Sequence, residues 1–192
     1  MIEETTPEKR APGPLRVVQQ FVNSREYNET LEDDEDLPSP EALRDWLVER
    51  DLLDASATVT AADLERALAI REGLRAVLMS HNGTPLDPGA VERLDHVASR
   101  AAVRVKFGSD AECELVPDCT GVDGALAQLL AIVAQATQKG TWQRLKACPR
   151  ECCMWAFYDH SKNRSGRWCS MDSCGNVEKA RAFRERRRGA AT

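Results

Sequence analysis

The sequence predicts an α+β protein, in which a mostly helical N-terminal domain with one β-hairpin precedes a small cysteine-rich module. Three observations lead to this fold class. Apolar residues recur at helical spacing in several segments before the last quarter of the chain, whereas one segment there alternates apolar and basic residues. Five of the seven cysteines lie between Cys148 and Cys174. The length of 192 residues is typical of one ordinary domain with a small addition.

The N-terminal end contains a tail, a short apolar element and an acidic loop. Residues 1–13 are rich in charge and proline and lack apolar periodicity, so we expect a disordered tail. The apolar residues of Leu15–Phe21 leave the choice between strand and helix open. Residues 29–40 form an exposed acidic loop, and Ser39 as N-cap followed by Pro40 predicts a helix start at its end.

Longer helices and a β-hairpin complete this domain. Helical spacing with start signals is found in three further segments, which begin at Thr60, Pro88 and Asp123. Residues 102–107 alternate apolar and basic side chains, and turn residues separate them from the strand-like segment 113–117. This pattern predicts a β-hairpin.

We place the domain boundary at Gly140, which stops the last helix of the N-terminal domain. Residues 14–140 form that domain, 141–188 the cysteine-rich module and 189–192 a short tail. Because the helices of the N-terminal domain have apolar faces of their own, we expect it to fold without the module.

Charge is distributed unevenly along the chain. The formal net charge is -5 at pH 7, yet residues 142–188 hold 12 Lys and Arg against 5 Asp and Glu. The remainder is strongly acidic, with 14 basic and 26 acidic residues. An acidic body with a basic module is typical of a protein that meets a polyanion, and the alternative is a solvated basic tail.

The sequence contains no pattern typical of a membrane span or a secretory signal. The longest apolar run, residues 125–136, is interrupted by glutamines and is too short for a bilayer of about 30 Å. The N-terminus is acidic and has no apolar segment. We therefore expect a cytoplasmic protein, in which disulfides are a weaker explanation of the cysteines than a metal.

Two pairs of cysteines predict a structural zinc site. Four residues separate Cys148 from Cys153 and also Cys169 from Cys174, and fifteen residues lie between the pairs. Zinc in a structural site takes four thiolates in a tetrahedron, and two tight turns can each supply two of them. A module of this size has no core of its own, so the metal would supply its folding free energy.

Two other side chains could enter the metal site. Three residues separate Cys148 from Cys152, and zinc sites also use this spacing. Symmetry with the second pair nevertheless favours Cys153 as the ligand. His160 is a further candidate, although four cysteines already fill a structural site. The aromatic residues of the module are expected to pack around the metal: Trp142, Trp155, Phe157, Tyr158, Trp168 and Phe183.

A helix after Cys174 carries much of the basic charge. Gly175 would let the chain turn after this ligand, and Asn176 would cap the helix. A knuckle, a hairpin and a helix whose first turn holds the last ligand define a treble-clef-like zinc finger. Its loop and helix present a surface suited to phosphates. The candidate nucleic-acid-binding residues are Lys162, Arg164, Arg167, Lys179, Arg181, Arg184 and Arg188.

These C-terminal residues resemble the CGNR zinc-finger proteins of bacteria, and the segments that carry the resemblance are WQRLKAC, CMWAFYDHSKNRSGRWCSMDSCGN and KARAFRERR. The upstream segments APGPLRVVQQFVNSRE, LERALAIREGLRAVL and GVDGALAQLLAIVAQATQKGTWQRLKAC are similar to the ABATE domain that precedes the finger in that family. The resemblance covers about Pro14 to Arg188. It implies a stress-induced transcription regulator, with the family's zinc ligands on Cys148, Cys153, Cys169 and Cys174.

One position departs from the family pattern. The motif that names the family ends in Arg, whereas Val177 follows Cys174-Gly175-Asn176 in this chain. If the family Arg contacts DNA, this protein lacks that contact, and Arg181 or Lys179 would have to replace it. If the family Arg makes a structural hydrogen bond, the finger is slightly altered.

Three residues of the N-terminal domain lie in segments that match the family: Asn23, Arg71 and Arg75. They are candidates for binding a small anionic ligand. Because Arg71 and Arg75 are four residues apart, both guanidinium groups can project from one helix face and receive an anion. The favoured alternative is that they pair with Glu72 or with the acidic loop on a solvated face.

The leading hypothesis is a zinc-dependent regulator of transcription that binds double-stranded DNA, with an N-terminal domain that senses a ligand or binds a protein partner. The alternative is a zinc-finger interaction module that docks on a protein without direct DNA contact. RNA is a third candidate because of the aromatic residues, which would have to be exposed to stack on bases. We expect no enzymatic activity, since the sequence has no glycine-rich phosphate loop and no Ser/His/Asp grouping.

Overall fold

The protein is described by a computed structural model that covers residues 9–27, 34–109 and 112–189. Residues 1–8 and 190–192 of the two expected tails, and residues 29–33 of the acidic loop, lie outside the described residues. Within the described ranges the chain forms six α-helices and three antiparallel pairs of short strands.

The helices and strands follow one another in an α+β arrangement. The helices are α1 (Leu15–Val22), α2 (Pro40–Val48), α3 (Ala61–Ser80), α4 (Pro88–Ala98), α5 (Gly121–Gln138) and α6 (Asn176–Gly189). The strand pairs are β1 (Arg25–Glu26) with β2 (Asp34–Glu35), β3 (Val103–Phe107) with β4 (Cys113–Pro117), and β5 (Leu145–Ala147) with β6 (Ala156–Tyr158). The predicted fold class, a mostly helical domain with a hairpin before a cysteine-rich finger, is confirmed.

Most helix starts coincide with their predicted caps. The Ser39 side chain accepts a hydrogen bond from the Ala42 N–H at 3.3 Å, with Pro40 as the first residue of α2. Thr60 and Asp63 form a reciprocal capping box at the start of α3. The first apolar element, which the sequence left open, is the helix α1, because its large apolar side chains bury one common face.

The predicted hairpin is also present. Strands β3 and β4 pair antiparallel from Val103 opposite Pro117 to Phe107 opposite Cys113. After β4 the chain enters α5, which lies against this hairpin and ends before Gly140. Gly140 has a φ of +66°, a left-handed conformation that glycine adopts without steric cost, so its role as a helix stop is confirmed.

The hydrophobic core lies between α1, α2, α3 and α5. Its large members include Phe21, Leu43, Leu74 and Leu126. The same core continues into the C-terminal module, because β5 packs on α3 and β6 on α1. The core residues that the module contributes are Trp142, Leu145, Ala147, Ala156 and Tyr158.

This shared core changes our expectation about the boundary at Gly140. Leu145, Ala147 and Ala156 are completely buried on the side of the hairpin β5–β6 that faces the N-terminal domain. The apolar face of α3 is therefore completed by residues that lie beyond the predicted boundary. We therefore expect that the N-terminal domain is not stable without the module, since burial of this face supplies part of its stability.

The end of the expected N-terminal tail is also packed. Ala11 is 4% exposed, and its N–H donates to the Gln19 side-chain oxygen at 2.7 Å. Residues 9–13 are therefore part of the folded protein. Among the described helices, none combines the length and the apolar character needed to cross a membrane.

Candidate metal centre and nucleic-acid interface

Four cysteines meet at the C-terminal end of the molecule. The sulfur atoms of Cys148, Cys153, Cys169 and Cys174 all lie within 4.8 Å of one another. The Sγ atoms of Cys153 and Cys169 are 3.5 Å apart, and those of Cys169 and Cys174 are 3.7 Å apart. A tetrahedron with zinc–sulfur bonds of about 2.3 Å has sulfur–sulfur edges of about 3.8 Å. The donor set and its spacing therefore fit one zinc ion.

The electrostatics of the cluster favour a bound cation. Hydrogen bonds from the Cys153 and Cys169 thiols lower the pKa of Cys148, and the pKa of Cys153 and of Cys169 is raised because each must keep a proton to donate. Four thiolates at this separation would repel one another, and a divalent metal removes that repulsion. Zinc bound here would serve as a structural crosslink between two turns and the start of α6.

The first cysteine pair lies on a tight turn between β5 and β6. The Cys153 N–H donates to the Arg150 carbonyl at 2.9 Å, and the Met154 N–H donates to the same oxygen at 3.1 Å. Met154 has a φ of +44°, a conformation that a side chain such as methionine rarely adopts. The turn thus folds Cys153 back towards Cys148, whose N–H donates to the Trp155 carbonyl at 3.0 Å.

Of the second pair, Cys174 lies on a helical turn that leads directly into α6, and Cys169 precedes the cap of this turn. A single π-helical turn spans Met171–Gly175, and the Ser170 side chain caps it by accepting from the Ser173 N–H at 3.3 Å. Asn176 has helical dihedral angles, so the expected cap at this residue is wrong and Ser170 has the role. A Cβ atom at position 175 would lie 2.7 Å from the end of the Met171 side chain, which would have to shift to make room for it.

The two alternative ligands lie outside the cluster. Cys152 is half-buried and lines a neighbouring surface groove. The His160 ring is hydrogen-bonded through Nε2 to the Arg10 carbonyl at 2.8 Å. The structure therefore brings together the four cysteines that the spacing and the resemblance predicted.

A buried ion pair, which the sequence did not reveal, supports the loop before Cys169. Lys146 Nζ donates to Asp159 Oδ2 at 2.8 Å, and also to the carbonyls of Arg164 and Gly166. Although burial raises the pKa of Asp159, the hydrogen bonds from Lys146 and Ser161 outweigh it and lower that pKa to about 2. In the sequence Lys146 resembles any solvated lysine, and only the pairing of β5 with β6 places it beside the buried carboxylate.

Three of the candidate nucleic-acid-binding residues line one groove, and the others lie outside it. We call it the basic groove: it is a concavity of about 480 Å³ between the knuckle, the end of the loop and one face of α6. Its basic residues are Arg150, Arg167, Arg181 and Arg184, and Cys152, Trp168 and Val177 also line it. Sequence reasoning missed Arg150, because the knuckle is not adjacent to the helix in the chain.

The remaining candidates do not line the groove. Arg188 follows Arg184 on the same face of α6 one turn later, whereas Lys179 lies on the opposite face by helical spacing. Lys162 and Arg164 are exposed on the loop before Cys169. Val177, at the position of the family Arg, lines the groove one turn before Arg181.

The aromatic residues do not form a separate core around the metal. Trp142 and Tyr158 belong to the core shared with the N-terminal domain. Phe157 is fully buried, whereas Phe183 is 54% exposed on α6, so the expected packing of Phe183 around the metal is wrong. The physical reason is that the module needs no aromatic core of its own, because the metal crosslinks it and Trp142 and Tyr158 pack against the N-terminal domain.

The three candidate ligand-binding residues are buried and hydrogen-bonded within the protein. Each of the six guanidinium nitrogens of Arg71 and Arg75 donates to a protein acceptor. Arg71 forms a bidentate pair with Glu35 of the acidic loop at 2.7 Å, and both arginines bond to Glu72. These are the partners that the alternative interpretation named, although the arginines are buried rather than solvated.

Hydrogen bonds of these residues also reach the metal turn. Arg75 Nη1 donates to the Met154 carbonyl at 3.0 Å, directly after the ligand Cys153. The Asn23 amide pairs with both backbone groups of Ala156, accepting from the N–H at 2.7 Å and donating to the carbonyl at 2.9 Å. These contacts tie the N-terminal domain to the backbone that follows the metal turn, and they give Asn23 and Arg75 a structural role.

Comparison with known families agrees with this architecture. The model of the CGNR zinc finger matches residues 144–187, and the model of ABATE, described as "Putative stress-induced transcription regulator", matches residues 15–145. A search of curated proteins finds no match. Because the ABATE match covers well over half of the chain and the four cysteines form the expected cluster, the protein belongs to the ABATE family and carries a CGNR zinc finger.

Proposed function

We propose that the protein is a zinc-dependent regulator of transcription that binds double-stranded DNA through the basic surface of its finger. The observation that carries this proposal is the groove, in which the fold gathers Arg150, Arg167, Arg181 and Arg184 beside the zinc site. Guanidinium groups match phosphate oxygens in charge and in geometry. The family description supplies the link to transcription and to stress.

The metal and the N-terminal domain would have distinct roles in this function. Four cysteine thiolates fill the zinc coordination shell, so we propose a structural metal and no catalysis. The N-terminal domain would sense a signal or bind a partner, and its contacts with Met154 and Ala156 provide a physical connection to the finger.

One observation favours the second candidate function, docking on a protein partner. Met171 and Phe183 of the finger are 46% and 54% exposed, and a protein partner that covers these apolar side chains would remove them from water. RNA recognition by stacking was suggested by Trp155, Phe157 and Tyr158. It loses support because Phe157 and Tyr158 are buried, which leaves only the half-buried Trp155 for a base to stack on.

Titration of the zinc-loaded full chain with a labelled duplex of mixed sequence tests the proposal. We expect binding that weakens steeply with salt and that disappears when a strong chelator removes zinc, because phosphate contacts release counterions and the metal holds the groove together. A single-stranded RNA of the same sequence is expected to bind more weakly. Binding that is absent or insensitive to salt would contradict the proposal and favour the docking function.

A further inference from the structure

We infer that the basic groove binds one sugar–phosphate unit of a DNA strand, an inference that rests on the DNA-binding function proposed above. The groove is lined by two chemically different kinds of side chain. Arginines of α6 and of the loop lie beside Trp168 and Val177, whose apolar surface we call the apolar side of the groove. A ligand that satisfies both must carry a negative charge beside an apolar face.

The arginines of α6 provide the phosphate site. Arg181 Nε donates to Glu185 at 3.1 Å, and Arg184 Nε donates to the Ala180 carbonyl at 3.3 Å. Within the described part of the chain, the guanidinium groups of Arg181 and Arg184 make only these two hydrogen bonds, both through Nε. Their terminal nitrogens make none there. Each group can therefore offer two terminal nitrogens to phosphate oxygens.

The charge in the groove suits a phosphodiester. Four arginines and two glutamates, Glu151 and Glu178, line it. Glu178 lies 3.9 Å from Arg150, which partly neutralises both groups on the side of the knuckle. Arg181 pairs with the exposed Glu185, so the excess of positive charge lies on Arg167 and Arg184, and on Arg181 once a phosphate displaces Glu185.

The apolar side suits a deoxyribose. The Arg167 guanidinium lies 5.2 Å from the centroid of the Trp168 ring, which fixes the edge of this surface. Val177 is 40% exposed beside it and adds an aliphatic contact. The volume of about 480 Å³ is in the range of small-ligand sites, so one nucleotide unit fits, whereas an inorganic anion would leave the apolar side uncovered.

Salt titrations of matched variants test the charge contacts. In the zinc-loaded full chain, Arg181→Ala and Arg184→Ala are each expected to flatten the log–log salt dependence of duplex binding by about 0.9. Arg186→Ala is the control, since Arg186 lies on the opposite face of the same helix and is also exposed. Arg181→Lys is expected to keep the slope but to bind more weakly, because lysine keeps the charge and lacks the fork.

Variants of the apolar side test the sugar contact. Trp168→Leu and Val177→Ser are expected to lower duplex affinity several-fold at every salt concentration, with an unchanged slope, because neither removes a charge. Zinc content measured on each variant verifies that the finger is folded. Normal affinity in the exposed-site variant Val177→Ser and in zinc-loaded Trp168→Leu would overturn the sugar contact.

The outcomes separate the inference from the function on which it rests. If the wild-type chain shows no salt-sensitive affinity for duplex DNA, the proposed function fails. If the wild-type chain binds but Arg186→Ala flattens the salt dependence as much as Arg181→Ala and Arg184→Ala do, the groove is not the phosphate site. The inference is then overturned, while DNA binding by the finger stands.

Discussion

At the scale of single residues, the metal site depends on which cysteines meet. Cys169 lies in the cluster, with its sulfur within 3.7 Å of two others, whereas Cys152 lies in the groove. We expect Cys169→Ser to lose the bound zinc, because a hydroxyl is a poor substitute for a thiolate, and Cys152→Ser to retain it. Metal analysis of the two purified variants checks this. Stoichiometric zinc in Cys169→Ser would rule out the assigned ligands.

The ion pair between Lys146 and Asp159 leads to a prediction about pH. Because the folded-state pKa of Asp159 is about 2, below its ordinary value of 3.8, the carboxylate stabilises the fold above about pH 4 and loses this effect as the pH falls towards 2. The contribution is roughly 2 kcal/mol. In urea unfolding between pH 5 and 2, Asp159→Asn is expected to show a weaker acid dependence than the wild type.

The same substitution leaves Lys146 buried without its carboxylate, which costs a further few kcal/mol at neutral pH. Asp95→Asn, which removes an exposed carboxylate on α4, is the control. We expect it to change neither the free energy of unfolding at neutral pH nor the acid dependence of that free energy. An acid dependence of Asp159→Asn identical to that of the wild type would contradict the role assigned to the pair.

At the scale of elements, the side chains of Asn23 and Gln19 join α1 to β6, and both donate to the Ala156 carbonyl. Asn23, directly after α1, satisfies both backbone groups of Ala156 in β6. We expect Asn23→Ala to destabilise the fold by about 1–3 kcal/mol, because it leaves a buried N–H unpaired. We also expect zinc to pass to a chelator faster, since β6 follows the metal turn. Gln20→Ala on the same helix is the control, and equal zinc-release rates in all three proteins would refute the connection.

At the scale of the whole molecule, the two family segments share one core. A fragment that ends at Lys139 lacks five core residues, from Trp142 to Tyr158, and exposes apolar surface of α3. We therefore expect this fragment to unfold over a broad temperature range and to bind a hydrophobic dye, in contrast to the cooperative unfolding of the full chain. A sharp transition of the fragment in the presence of a chelator would show that the N-terminal domain is independent.

The sequence by itself was sufficient to predict the local structure of this protein. The caps at Ser39 and Thr60, the hairpin β3–β4 and the stop at Gly140 depend on dihedral preferences and on hydrogen bonds between near neighbours. The zinc ligands could be predicted as well, because two short turns bring each cysteine pair together and the chain needs only one further contact to complete the tetrahedron.

Only the tertiary structure decided what the polar and aromatic residues contact. Arg71 and Lys146 have the sequence signature of solvated residues, yet both are buried beside carboxylates that lie distant in the chain. The groove joins Arg150 to α6, and the core joins Tyr158 to α1, α3 and α5 in the same way. Such contacts depend on how the elements pack, and residue spacing within one segment carries no information about the partner that a distant segment brings to it.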